Sequence, residues 1–168
     1  MISELKLRTI IIGLILSIIL GAANVYLGLK AGMTVSASIP AAVVGMLLLR
    51  LITNRPSILE ANQIQTAASA GESLAAGIIF TMPALIIIGI WQEFNMLLTS
   101  VIAFTGGLLG ILFMIPMREV FIVSNRENLK YPEGVACASV LEAGKGNNDS
   151  KEAMSIIQGI LIGGAFKV

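Results

Sequence analysis

An all-α, polytopic integral membrane bundle is the fold class this sequence predicts, and three observations carry the prediction. Only 12% of its 168 residues are charged while 56% are hydrophobic, and a soluble domain has about twice that charged share. Uncharged apolar runs recur at roughly 20 residues, the length a helix needs to cross hydrocarbon. The basic residues fall almost wholly on one side of the alternation those runs create. Net charge is +1, which gives nucleic acid nothing to bind. The chain has no His and one Cys, so His-based catalysis, metal sites and an internal disulfide lose their usual groups. No cofactor, metal or catalytic residue is expected.

Four complete transmembrane helices are expected, at about 9–29, 31–49, 73–92 and 94–117. Single charges, Lys30 and Glu93, part the members of each pair, so both connections must be tight. A fifth apolar run within 153–168 is too short to cross and reads as a truncated span. Asn54-Arg55-Pro56 marks the loop after the second run. Segment 118–152 reads as cytoplasmic, with 144–150 as a solvated link and 135–143 as a small, apolar piece suited to lying on the membrane or dipping into it.

With the N-terminus in the cytoplasm, Lys6, Arg8, Arg50, Arg55, Arg118, Arg126, Lys130, Lys145 and Lys151 all fall inside, and Lys30 falls outside. That distribution obeys the positive-inside rule at every loop. A rival reading takes the first run, ending in Gly21-Ala22-Ala23, as a secretory signal peptide. The run continuing to Leu29, and the further membrane segments after it, oppose that reading.

The polar stretch from Glu60 to Ser73, EANQIQTAASAGES, is the main candidate for function. Polar groups at membrane depth are costly unless they line a cavity or find partners. In a helix, Asn62, Thr66, Ser69 and Ser73 share one face, flanked by Gln65 and Glu72. An interfacial amphipathic helix would also be polar on one side, but it would have Lys or Arg there. None occurs between Glu60 and Arg118. One helix over 57–92 would be about 54 Å long, so a break is expected near Gly71, or else at Gly77. Segment 57–72 would then be a polar half-helix or re-entrant segment, like the discontinuous helices of transporters.

Glu72 and Glu60 are the candidates for proton exchange, since a partly buried carboxylate can titrate near neutrality. Headgroup-level anchoring is the alternative for both. Ser36 and Ser38 precede Pro40, which removes a backbone donor; this is either a kink opening a polar pocket or an ordinary membrane-helix proline. Asn24 either lines the path or bonds a neighbouring helix, and Tyr26 reads as an interface anchor. Glycines at 106–110 and 159–163 have small-residue spacings that suit close helix packing. Tyr131-Pro132-Glu133-Gly134 is a turn signal, and Cys137 reads as a packing residue.

Four blocks occur in order: Asn24-Val-Tyr26-Leu-Gly28-Leu-Lys30-Ala-Gly32; Ser36-Ala-Ser38-Ile-Pro40-Ala-Ala42; Leu59-Glu60-Ala-Asn62-Gln63-Ile-Gln65-Thr66-Ala-Ala-Ser69-Ala-Gly71-Glu72-Ser73; and Tyr131-Pro132-Glu133-Gly134. Together they resemble the bacterial, yellow-stripe-like branch of the oligopeptide transporter superfamily. The resemblance implies proton-coupled uptake of oligopeptides or peptide-like metal chelates through the inner membrane. Members of that family are much longer, so it also implies that residues 1–168 are the N-terminal part of one transporter domain. The partners would then be lipid, the small peptide or chelate, and the missing C-terminal half or further copies in a homo-oligomer. Two alternatives stand beside transport: a non-transporting membrane subunit or remnant that only packs with partner helices, and a membrane enzyme, for which the side chains are few.

Overall fold

The computed structural model describes residues 6–53, 57–125, 127–143, 158–159 and 162. The truncated run at 153–168, the link at 144–150 and the Asn54-Arg55-Pro56 breaker lie wholly or mostly outside them. The described residues form five α-helices and no strand: α1 Leu7–Ala31, α2 Ser38–Ile52, α3 Ile58–Ile87, α4 Met96–Arg118 and α5 Pro132–Ala143. A π-helical turn, Glu119–Ser124, continues α4. Three helical stretches are long and apolar enough to cross a membrane: Leu7–Ala31, Ile58–Ile87 and Met96–Ser124.

Helices α1 and α3 lie side by side and run in the same direction. Their contacts advance together along both chains, from Arg8 on Glu60 through Gly13 on Ala67 and Ser17 on Gly71 to Asn24 on Glu72. Between membrane helices no water is released on contact, so close packing of small residues drives association. Here Gly13, Ser17 and Gly21 recur every four residues on α1. A Cβ added to Gly13 would meet the Ala67 methyl at 2.7 Å, and one added to Gly71 would meet Ser17 Oγ at 1.8 Å. The core beside this seam is likewise small: Ala41, Ala42, Ala61 and Ala68 pack with Leu16, Met46, Leu49 and Ile64.

Two parallel neighbours require the chain to return between them, and α2 makes that return. Its 15 residues cover only about 22 Å, short of a bilayer core of about 30 Å. Residues 33–37 before it are not helical. Gly32 ends α1 with φ of 70°, a left-handed conformation that suits glycine. The chain then turns back beside α1, where the Val35 amide donates to Asn24 Oδ1 at 3.2 Å. The second apolar run, expected to be helical over 31–49, is therefore a non-helical stretch followed by a short helix. Pro40 is the third residue of that helix, where a missing N–H belongs to the unpaired first turn anyway. It neither kinks α2 nor frees a carbonyl inside it.

The break expected near Gly71 is absent. Helix α3 runs unbroken for 30 residues, about 45 Å. It starts at Ser57, whose Oγ accepts from the Leu59 amide, and it stops at Ile87, before Gly89 with φ of 82°. The expected third run, 73–92, is thus the second half of one long helix. Gly71 admits Ser17 of α1 rather than bending α3. The small spacings at 106–110 do not pack as expected among the described residues: a Cβ at Gly106 or Gly110 would meet nothing within 4 Å, and one at Gly107 only Leu74 at 3.8 Å. Helix α4 is accordingly exposed along most of its apolar length, Thr99 being its one buried residue. Helix α5 packs along α2, with Leu141 in the core cluster.

Candidate functional site

An open cavity of about 1200 Å³ lies between α3, the stretch before α2, and α5. From α3 it is lined by Asn62, Gln65, Glu72 and Ser73; from the stretch before α2 and its first turn, by Thr34, Ser36 and Ser38; from α5 and its approach, by Tyr131, Glu133, Cys137 and Glu142. Two features of the backbone bring these together. The turn after Gly32 folds residues 33–37 back to the level of Asn24. Tyr131, whose hydroxyl donates to the Phe121 carbonyl at 2.9 Å, then sets the start of α5 near the end of α4.

Glu72 is the buried carboxylate of the site, 6% exposed. Asn24 Nδ2 donates to its Oε1 at 2.8 Å, while Asn24 Oδ1 accepts from Val35. One carboxamide therefore joins α1, α3 and the stretch before α2. Ser36, next to Val35, donates its hydroxyl to Glu133 Oε1 and stands 3.2 Å from Ser38 Oγ. The starts of α2 and α5 meet through that contact. Hydrogen bonds from Ser36, then Ser38, hold the Glu133 carboxyl below the usual carboxylate range.

Of the ten predicted path residues, Ser36, Ser38, Asn62, Gln65, Glu72 and Ser73 line the cavity. Asn24 sits behind it as the partner of Glu72. Thr66 and Ser69 do not line it; their hydroxyls donate to the Asn62 and Thr66 carbonyls of their own helix, a common way to satisfy such groups in helices. Pro40 does not line it either. Glu60 is elsewhere: it is 4% exposed, at the start of α3, held by Lys6 and by Arg8 Nη2, 2.9 Å from both carboxylate oxygens. This ion cluster ties the starts of α1 and α3 together and does not touch the cavity.

Sequence reasoning missed Thr34, the backbone of Val35 and the Ser36–Glu133 contact, all of which depend on the chain folding back after Gly32. Gly32 itself was the available signal. It missed the Gly13, Ser17, Gly21 seam as well, although small residues at every fourth position mark such seams.

Burial, with Glu133 adding to it, pushes the Cys137 thiol up from its ordinary value, and the thiolate is the reactive form. Maleimide should label Cys137 more slowly than a free cysteine at neutral pH. Its rate should keep rising with pH after that of a free thiol has levelled off. Substituting Glu133→Gln should speed the reaction. A labelling rate equal to that of a free thiol would contradict this environment.

Among the described residues no group of three or more His, Cys, Asp or Glu side chains is placed to hold a metal ion. No solved structure matches the chain. A protein of Haemophilus influenzae (strain ATCC 51907 / DSM 11121 / KW20 / Rd), named "Putative oligopeptide transporter", is 43% identical over 139 residues. That alignment covers 83% of this chain and 21% of the relative, so the chain spans about a fifth of the relative's length. The family profile described as OPT oligopeptide transporter protein matches residues 4–168. Matched over nearly its whole length, this chain of membrane-crossing helices belongs to the OPT oligopeptide transporter family, whose members are transporters and not enzymes.

Proposed function

We propose that this segment forms one wall of the solute path of a proton-coupled importer for short peptides or peptide-like metal chelates. The observation that carries the reading is the cavity with Glu72 in its wall. A carboxylate at membrane depth is expensive and marks ion or proton pathways, and this one has a neutral amide for a partner instead of a cation. Amides and hydroxyls from Asn62, Gln65, Ser36 and Ser38 suit a peptide backbone, because they pair with groups every peptide has. The remaining wall is supplied by further transporter segments or by another copy. The basic residues support a cytoplasmic N-terminus, since Lys6, Arg8, Arg50 and Arg118 fall at one end of the alternation and Lys30 at the other; an inner-membrane location is what the family resemblance implies.

The test is Glu72→Gln at the chromosomal locus. Peptide uptake driven by an inwardly directed proton gradient should fall by about tenfold, within the usual span of coupling between two ligands. Exchange of labelled for unlabelled peptide without a gradient should persist, and the amount of protein in the membrane should be unchanged. Gradient-driven uptake at the wild-type level across the pH range would remove Glu72 from the mechanism.

A further inference from the structure

Resting on that reading, we infer that the cavity takes its ligand by a protonated amine, with Glu72 and Glu133 receiving the cationic end of a short peptide. Three observations support this. First, Glu72 is more than nine-tenths buried and only its Oε1 is engaged; Oε2 has no hydrogen-bond partner among the described residues. A carboxyl group with one oxygen engaged and the other open toward a cavity can accept a hydrogen bond from a ligand donor.

Second, the wall is acidic, with no opposing charge among the described residues. Among these, Glu72, Glu133 and Glu142 line it, and no Lys or Arg does. Lys130 borders a neighbouring pocket instead. A peptide carboxylate would meet repulsion here, and an ammonium would meet attraction. Third, two of the lining carboxylates, Glu72 and Glu133, are linked through adjoining residues. Asn24 joins Glu72 to the Val35 amide, and Ser36, the next residue, joins Glu133. Both are therefore held in place before any ligand arrives, which lowers the cost of binding. The described residues offer no metal-binding group, and an ammonium needs only two or three oxygen acceptors.

Membrane vesicles from cells that make the protein, compared with vesicles from cells deleted for it, provide the test. The probes are labelled trialanine and its N-acetyl derivative, followed by exchange without a pH gradient. Wild-type protein should prefer the free amine by about tenfold or more, the weak end of what a charge-assisted hydrogen bond contributes. Glu72→Gln should reduce that preference to about threefold or less, and Glu72→Asp should retain part of it. Equal exchange of the two peptides would overturn the inference, as would an unchanged preference in Glu72→Gln. Should Glu72→Gln exchange nothing, the preference in Glu133→Gln decides: a reduced ratio supports the inference and an unchanged one sinks it. If neither peptide exchanges in the wild type, the transport reading itself falls, and the amine site with it.

Discussion

Replacing Gly71 by leucine will separate α1 from α3 and cost about 3 kcal/mol or more, the upper end of overpacking penalties. Even alanine is hard to seat there. Its Cβ would lie 1.8 Å from Ser17 Oγ, 3.0 Å from Ser17 Cβ and 3.2 Å from the Ser17 carbonyl. The hydroxyl can rotate away, but the Cβ and the backbone oxygen cannot, so alanine should cost about 1 kcal/mol and leucine several times that. Ser17→Gly removes the Cβ on the facing side and should recover most of the alanine loss, the coupling expected of residues in contact. Gly110→Ala is the control, since a Cβ there meets nothing within 4 Å; it should stay within about 0.5 kcal/mol of wild type. Unfolding midpoints in detergent give all four values. If Gly71→Leu and Gly110→Ala behave alike, the two helices do not touch at this crossing.

The second large effect is expected at the other end of the same pair. Removing both Lys6 and Arg8, for example as Lys6→Leu with Arg8→Leu, leaves Glu60 as a buried charge with no counter-ion. Such orphaning costs about 3–5 kcal/mol. The side chain of Glu60 is 5% exposed, whereas those of Lys6 and Arg8 are 47% and 36% exposed. That difference sets a direction. Glu60→Gln frees two cations that water can reach, so it should be much milder than the double substitution. Either cation removed alone should also be mild, because the other remains in place. Adding Glu60→Gln to the double variant should then restore stability, since the stranded charge is gone. Failure of that rescue in thermal unfolding would show that the cluster does not act through charge.

The fold class was readable because the lipid environment writes itself into composition. Long uncharged runs and one-sided cations needed no tertiary information. The length of α3 was misjudged because a 57–92 helix looked too long for the bilayer, and glycine was taken as the place to shorten it. The helix instead ends at Ile87, and Gly71 answers to a neighbour 54 residues earlier in the chain, Ser17. No periodicity within α3 reports that contact. The second run misled for a different reason: hydropathy does not distinguish a non-helical apolar stretch from a helix, so 33–37 read as the start of a span. Within the site, Asn62 and Ser73 were legible as part of one polar face, with Gln65 and Glu72 flanking it. Thr66 and Ser69 looked equivalent to them in spacing, but their short hydroxyls turn back onto their own backbone. The role of Glu133 was out of reach, because it depends on a contact with Ser36, 97 residues away.

Asn24 uses both halves of its carboxamide at once. Its flat terminal group gives at one edge and receives at the other, and the two neighbours demand opposite edges. The plane therefore cannot be turned over without losing both grips at once. A Glu72 side chain drawn aside would either release the Asn24 amide or tilt that plane, and the same plane holds the Val35 amide of the stretch before α2. The acid and a lining segment of the cavity are thus joined by one side chain.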